Sequence, residues 1–304
     1  MVYEGQTTNH SCSQSTKYVK NNLFHVWNFG NMNIRTGNEK SEGGRMYTIV
    51  KEIANAKLLF CSLQEVKYRN NGNKVISLDT GEKYKFVWCG NKKRREAGVA
   101  MVIKICDEVI AEEPDYMDPR MMAININVKG FRLRVVNAYA PTNCDVSESQ
   151  KDIFYRTLKK VCTKQYKHQK LIVHGDFNAT TSLSLQQCHF DGKRIIEDPI
   201  CNENGQRLKS FCREKELCMS QTYFDHPINE RYTWYSGDKI TKKVLDYVLV
   251  EKFIQEYVID CFVKPGCLIE SDQRLLVTKL STPKEQEENQ KENLNYHQNL
   301  TSTH

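Results

Sequence analysis

Two stacked mixed sheets covered by helices are the α/β architecture this chain predicts. Three observations carry that reading: many short runs rich in Val, Ile, Tyr and Phe, few segments with helical spacing, and several strands joined directly by short turns. A simple βαβ repeat would need a helix between successive strands, and the chain has too few.

In chain order the strand-like runs are LFHVW, KLLFCSL, YKFVWC, GVAMVIK, MMAININV, FRLRVVNAY, KLIVHGDF, RYTWYS, VLDYVLV, YVIDCFV and RLLVTKL. Helical spacing appears over residues 45–56, 152–166 and 205–215. In the second of these Ile153, Thr157, Leu158 and Val161 form an apolar stripe against a Lys-rich face.

With 304 residues and 39% hydrophobic content, the chain suits one domain of about 250 residues plus tails. We expect a polar, flexible segment at 1–22, a folded domain at 23–281 and a disordered Glu-, Gln- and Asn-rich tail at 282–304. Apolar runs fall short of a membrane span, and the polar N-terminus lacks the apolar stretch of a signal peptide. A soluble, intracellular protein of nucleus or cytoplasm, acting as a monomer, is the expectation. Twelve cysteines lie singly from Cys12 to Cys267 with no Cys-x-x-Cys pair, which suits a reducing compartment and argues against structural zinc. The formal charge is +7. Setting aside the two Lys and four Glu of the tail leaves 42 basic and 33 acidic residues, or +9, which favours an anionic partner such as nucleic acid.

Polar residues recur where core-facing strands end. Glu65 closes KLLFCSLQE, Asn137 and Tyr139 close RLRVVNAYAP, Asp176 and Asn178 close LIVHGDFN, Asp246 interrupts VLDYVLV, and Asp272 precedes RLLVTKL. One acid beside a strand is usually a cap or a solvated edge. Several sharing one rim would repel unless a cation is bound. Oxygen donors without Cys or clustered His imply a hard ion, Mg²⁺ or Mn²⁺, and a basic domain holding such an ion suits phosphodiester chemistry. Asp176 could then orient water, while Asn178 and Tyr139 hold developing charge.

These residues also resemble a known family. LQE at 63–65, NAYAPT at 137–142, HGDFNA at 174–179, YTWYS at 232–236, LDYVLV at 245–250 and SDQR at 271–274 follow the order and spacing of the endonuclease/exonuclease/phosphatase superfamily. The resemblance covers about residues 23–281. Within it, NENGQRLKSFCREKELCMSQTYFDHP followed by RYTWYSGD is similar to the endonucleases of LINE-type retrotransposons and to craniofacial development protein 2-like proteins.

The resemblance implies a four-layered α/β sandwich of mostly antiparallel sheets with a Mg²⁺-dependent phosphodiesterase site at one end. It implies Glu65, Asn33 and Asp272 as metal ligands, with Trp27-Asn28 the alternative to Asn33. Asp176 would orient the attacking water, Tyr139 and Asn178 would contact phosphate, and Asp246 would hold residue 273. Arg120, Asn137 and Trp234 are implied as substrate contacts; Arg120 could instead pair with Asp115 or Asp118, and Trp234 could be core. The departure is Gln273, where the family writes His. Glutamine donates an amide hydrogen bond but neither accepts a proton nor becomes cationic. The expectation is a DNA-acting or DNA-binding endonuclease-like domain, retrotransposon-derived and impaired, or a pseudoenzyme; a lipid or inositol phosphoester is the lesser alternative. Lys92, Lys93, Arg94 and Arg95 could grip a DNA backbone, serve as a localisation signal or form a solvated hairpin tip. His174 and His189 are expected to be structural.

Overall fold

The computed structural model describes residues 24–37, 44–142, 147–164, 166–182, 200–266 and 269–283. The expectations for the segment 1–22, for the tail beyond Pro283 and for His189 concern residues outside that range. The chain divides into a body, Trp27–Leu280, and a small unit of the two terminal stretches, Met1–Val26 and Ser281–His304. Of the small unit, the described residues open the first strand and close the last.

The elements run β1 (Phe24–Asn33), α1 (Arg45–Asn55), β2 (Phe60–Gln64), β3 (Asn71–Ser77), β4 (Lys83–Cys89) and β5 (Val99–Ile105). Then come β6 (Val109–Ala111), β7 (Asp115–Asp118), β8 (Met121–Val128), β9 (Phe131–Tyr139), α2 (Glu148–Val161) and β10 (Lys170–Asp176). The chain continues with α3 (Glu203–Lys215), β11 (Leu217–Met219), β12 (Trp234–Tyr235) and β13 (Lys242–Lys243). It closes with β14 (Asp246–Glu251), α4 (Lys252–Gln255), β15 (Val258–Lys264) and β16 (Leu275–Pro283).

One seven-stranded sheet has the order β15-β16-β1-β2-β5-β4-β3. The second runs β11-β14-β10-β9-β8-β6, with β7 also on β8. Each has a parallel pair, β1 with β2 and β9 with β10, among antiparallel neighbours. Phe60, Val87, Met101 and Ile103 of the first sheet share a core with Ile124, Val135, Ile172 and Val250 of the second. On the first sheet's outer face Ile49, Val50 and Ile53 of α1 cover Cys61 and Leu63. On the second's, Phe154 and Leu158 of α2 and Leu208 and Phe211 of α3 cover Val136, Val173 and Leu249. Four layers result, as expected, since each sheet has two apolar faces to bury.

Local signals place the helices. Ser147 and Gln150 form a capping box, so α2 starts at Glu148 and stops at Val161, earlier at both ends than the expected 152–166, and its buried face is Lys151, Phe154, Tyr155, Leu158 and Val161, with Ile153 exposed. The Asn202 side chain accepts from Gly205 N to cap α3, which ends at Glu216 in the left-handed region. Of RYTWYS only Trp234 and Tyr235 are strand. Strand β3, reading NGNKVIS, lacks an apolar run because it lies at the sheet's edge with most positions exposed.

Candidate active site

Strand alternation decides which side chains enter the layer between the sheets. On β9, Leu133 and Val135 join the inter-sheet core while Val136 and Ala138 face the helices. The same phase puts Asn137 and Tyr139 inward. On β10 it selects Ile172, His174 and Asp176, and on β14 Asp246, Val248 and Val250. On β1 and β2, Asn31, Asn33 and Gln64 continue the phase of Phe29 and Phe60. The inner layer therefore turns from apolar to polar toward one end. Register brings Asn33 opposite Gln64, and Asp176 opposite both Tyr139 and Asp246. Gly175 permits the β9–β10 approach, since a Cβ there would lie 2.3 Å from Ala138 O.

At the rim, Asn33 Nδ2 donates to Glu65 Oε1 at 2.8 Å and to Asp176 Oδ2 at 2.9 Å, one amide bridging two carboxylates. Tyr139 OH donates to the same Glu65 oxygen at 2.9 Å, and Lys67 Nζ lies 3.1 Å from the other. Gln273 Nε2 donates to Asp176 Oδ2 at 2.8 Å, and Asn178 N donates to Asp176 Oδ1 at 2.9 Å. Glu65, Lys67 and Asn178 have φ of 55°, 55° and 46°, a region that non-glycine residues seldom occupy outside sites that hold them there.

Burial sets the protonation pattern. It pushes the Asp176 carboxyl up to about 6 against the opposing amide bonds from Asn33 and Gln273. Asp246 is raised well above the usual carboxylate range by burial and then by Asp176. The Tyr139 hydroxyl is raised by burial and by Glu65, so it acts as a donor. His174, buried with Nδ1 3.1 Å from Ser62 Oγ, falls to about 3 and is neutral. That matches the structural role expected for it.

Asp272 stands apart: its Oδ2 accepts from Trp234 Nε1 at 3.0 Å, and its Oδ1 lies 3.8 Å from Arg35 Nε. Among the described residues no three His, Cys, Asp or Glu converge. Glu65 and the Asn33 carboxamide do meet, and an all-oxygen set completed by water is what a hard divalent ion takes. Glu65 fits such an ion; Asn33 turns its Nδ2 to Glu65 while its Oδ1 accepts from Arg35 N at 2.9 Å, so it fits only with its amide reversed, and Asp272 fits only on release from Trp234.

Two expectations need correction. Asn137 is fully buried, so it touches no substrate. Its Nδ2 donates to Leu63 O at 2.9 Å and Ala100 O at 2.7 Å, and its Oδ1 accepts from Gln64 Nε2 at 2.7 Å, which tie the two sheets together. Nor does Asp246 hold Gln273. The Gln273 amide goes to Asp176, while Asp246 Oδ1 accepts a long bond of 3.4 Å from Asn31 Nδ2. Asn178 Nδ2 donates to Ala140 O at 2.9 Å. The Arg120 guanidinium lies 4.9 Å from the Tyr139 ring centroid, and its backbone N–H bonds Asp118, while Asp115 pairs with Arg134. Trp234 is half-buried, Asn28 lies away from these contacts with a bond to Lys57 O, and the Lys92 to Arg95 loop is exposed.

Lys67, Asn31 and Gln64 were not anticipated. Lys67 was readable two positions after Glu65, and Gln64 was readable from the alternation of KLLFCSLQ. Beside Asp272 and Gln273 opens a cleft of about 1360 Å³, whose lining has seven Lys and Arg side chains, Lys67 and Arg35 among them, against two carboxylates. That imbalance makes it attractive to anions.

No protein-family model matches the chain. Craniofacial development protein 2 of Bos taurus is 26% identical over 252 residues, covering 82% of this chain and 40% of that protein. The Tragulus javanicus protein gives 26% with 82% and 41% coverage, so the chain spans about 40% of the length of these relatives. Among solved structures, the AP endonuclease LMAP from Leishmania major superposes with a TM-score of 0.61 at 15% identity, over 85% of this chain and 88% of that one. An endonuclease/exonuclease/phosphatase family protein from Bacteroides thetaiotaomicron gives 0.53 at 13%, over 86% and 97%. The fold is that of the endonuclease/exonuclease/phosphatase superfamily. The endonuclease domain of TRAS1, a telomere-specific non-LTR retrotransposon, has the same endonuclease/exonuclease/phosphatase fold, with a TM-score of 0.55 at 13% identity over 84% and 98%.

Proposed function

We propose that the rim of Asn33, Glu65, Tyr139, Asp176 and Asn178 is a Mg²⁺- or Mn²⁺-dependent phosphodiesterase site of endonuclease type that acts on DNA. The observation that carries this reading is the single Asn33 amide held between the Glu65 and Asp176 carboxylates, which Lys67 and Gln273 link to the basic cleft they line. Glu65 would hold the ion, with Asn33 joining through Oδ1 once its amide turns and Asp272 once freed from Trp234. When bound, the ion polarises the phosphoryl oxygens. Asp176, fixed at Oδ1 by Asn178 N and raised to about 6, is placed to orient water and accept its proton near neutral pH. Tyr139 keeps its proton and donates hydrogen bonds. The TRAS1 likeness and the NENGQRLKSF segment support descent from a retrotransposon endonuclease.

Gln273 favours a second reading, a DNA-binding pseudoenzyme. Its amide serves Asp176 and offers neither a proton acceptor nor a positive charge. Supercoiled-plasmid nicking with Mg²⁺ separates the two. The active reading expects nicking by the native chain that Glu65→Ala abolishes and Gln273→His raises about 10²–10⁴-fold. Nicking by Gln273→His alone supports a disarmed scaffold, and silence from both sinks the nuclease reading.

A further inference from the structure

One wall of the cleft beside Gln273 carries Lys242, Arg274 and Tyr235, and Tyr232 adjoins them. Arg274 Cζ lies 4.1 Å from the Tyr235 ring centroid, and Lys242 Nζ lies 5.8 Å from that of Tyr235 and 5.9 Å from that of Tyr232. The two rings meet edge to face at 6.5 Å, and Tyr235 pairs with Lys242 across β12 and β13. Asn229 ties the group together. Its carbonyl accepts from Tyr235 OH and Arg274 Nη1, each at 3.2 Å, and its Oδ1 accepts from Lys242 Nζ at 3.2 Å.

Two features make this more than a charged surface. Among the described residues neither cation pairs with a carboxylate; their partners are neutral, so both positive charges stay available to an anion. Long basic side chains ordinarily lose rotamer freedom on binding, whereas these are already ordered by the rings and by Asn229. An arginine stacked on a ring still presents the edge of its planar fork, which matches phosphate geometry.

We infer that Lys242 and Arg274 form a preset clamp for the phosphodiester backbone of duplex DNA, beside the phosphate that Tyr139 and Asn178 would contact. The clamp rests on the DNA reading of the cleft. It positions the strand and reads charge spacing, not base identity.

The test is fluorescence anisotropy of a labelled DNA duplex with the full chain across a series of KCl concentrations. Each phosphate contact contributes about 0.9 to the slope of log affinity against log salt. The double variant Lys242→Gln/Arg274→Gln should flatten that slope by about 1.8. Lys83→Gln, which removes an exposed charge from the far end of β4, should leave it unchanged. Arg274→Lys should keep the slope and weaken binding, because the charge survives and the fork does not. Equal slopes for the native chain and the double variant overturn the clamp and leave the DNA reading standing, while a native chain that binds no duplex at low salt overturns both. Arg274→Gln alone, expected to give half the change, keeps the test open should the double variant melt early.

Discussion

Gln273 and Asp176 are joined by a 2.8 Å hydrogen bond from an amide nitrogen to a carboxylate oxygen, and that oxygen also takes the Asn33 amide. Among the described residues, the donors to the carboxylate at the centre of the rim are all neutral. Both amide bonds lower its proton affinity against the burial that raises it.

Removing one donor should therefore move the titration. Gln273→Ala is expected to raise the Asp176 carboxyl above its value of about 6, read by carbon NMR of labelled aspartate in metal-free protein. An unchanged or lower value would mean that this bond does not stabilise the ionised form.

Tyr139→Phe deletes the hydroxyl that donates to Glu65 at 2.9 Å. Equilibrium urea unfolding should show a loss of about 1 kcal/mol. Nicking measured in the Gln273→His background should fall by about 10²-fold if Tyr139 also serves the phosphate. A stability loss without a rate loss would confine the residue to bracing Glu65.

Asn137→Leu should be far more damaging to the fold than its position beside the rim suggests. It removes one of the two acceptors of the Gln64 amide, which keeps Asn31 Oδ1, and the side-chain donor to the carbonyls of Leu63 and Ala100 inside the inter-sheet layer. The expected cost is about 3–5 kcal/mol in urea unfolding. A cost under about 1 kcal/mol would show that water or a rearranged Gln64 takes over those bonds.

His174 gives a pH signature with a defined sign. Its folded value is about 3, pushed down by burial, against about 6.5 in an unfolded chain. The unfolded state therefore takes up the proton first, so this stability is complete above pH 6.5 and declines as pH falls toward 3. Between pH 7 and pH 5 the native chain should lose about 2 kcal/mol more than His174→Gln, measured by urea unfolding at each pH. Parallel pH curves for the two proteins would assign the loss to other groups.

How much of this was legible beforehand depends on which signal each residue leaves. Glu65, Tyr139, Asp176 and Asn178 were readable because each breaks an apolar strand at its end. Their convergence follows from strand alternation and from the two parallel pairs. Asn137 carries the same local signal yet serves the interior, because a period of two fixes the face and leaves open whether a neighbouring amide will saturate it. The Gln64 to Asn137 bond joins residues from different sheets, and no local pattern encodes it. Strand β3 and the two-residue strand β13 escaped for a related reason: edge position and length, set by the rest of the sheet, leave no apolar run to read.

The hydroxyl of Ser271 donates to the carbonyl of Asn33 at 2.7 Å, across 238 positions of chain, and β16 lies next to β1 in the first sheet. The rim therefore draws one edge from the start of the body and the other from its end. During synthesis a chain still short of Gln273 holds Asn33, Glu65 and Asp176 without their closing partner, so competence at this rim arises only as the last strand is laid beside the first. Contacts of such sequence separation form late and slowly. The order of assembly itself would leave the rim open until the fold is complete.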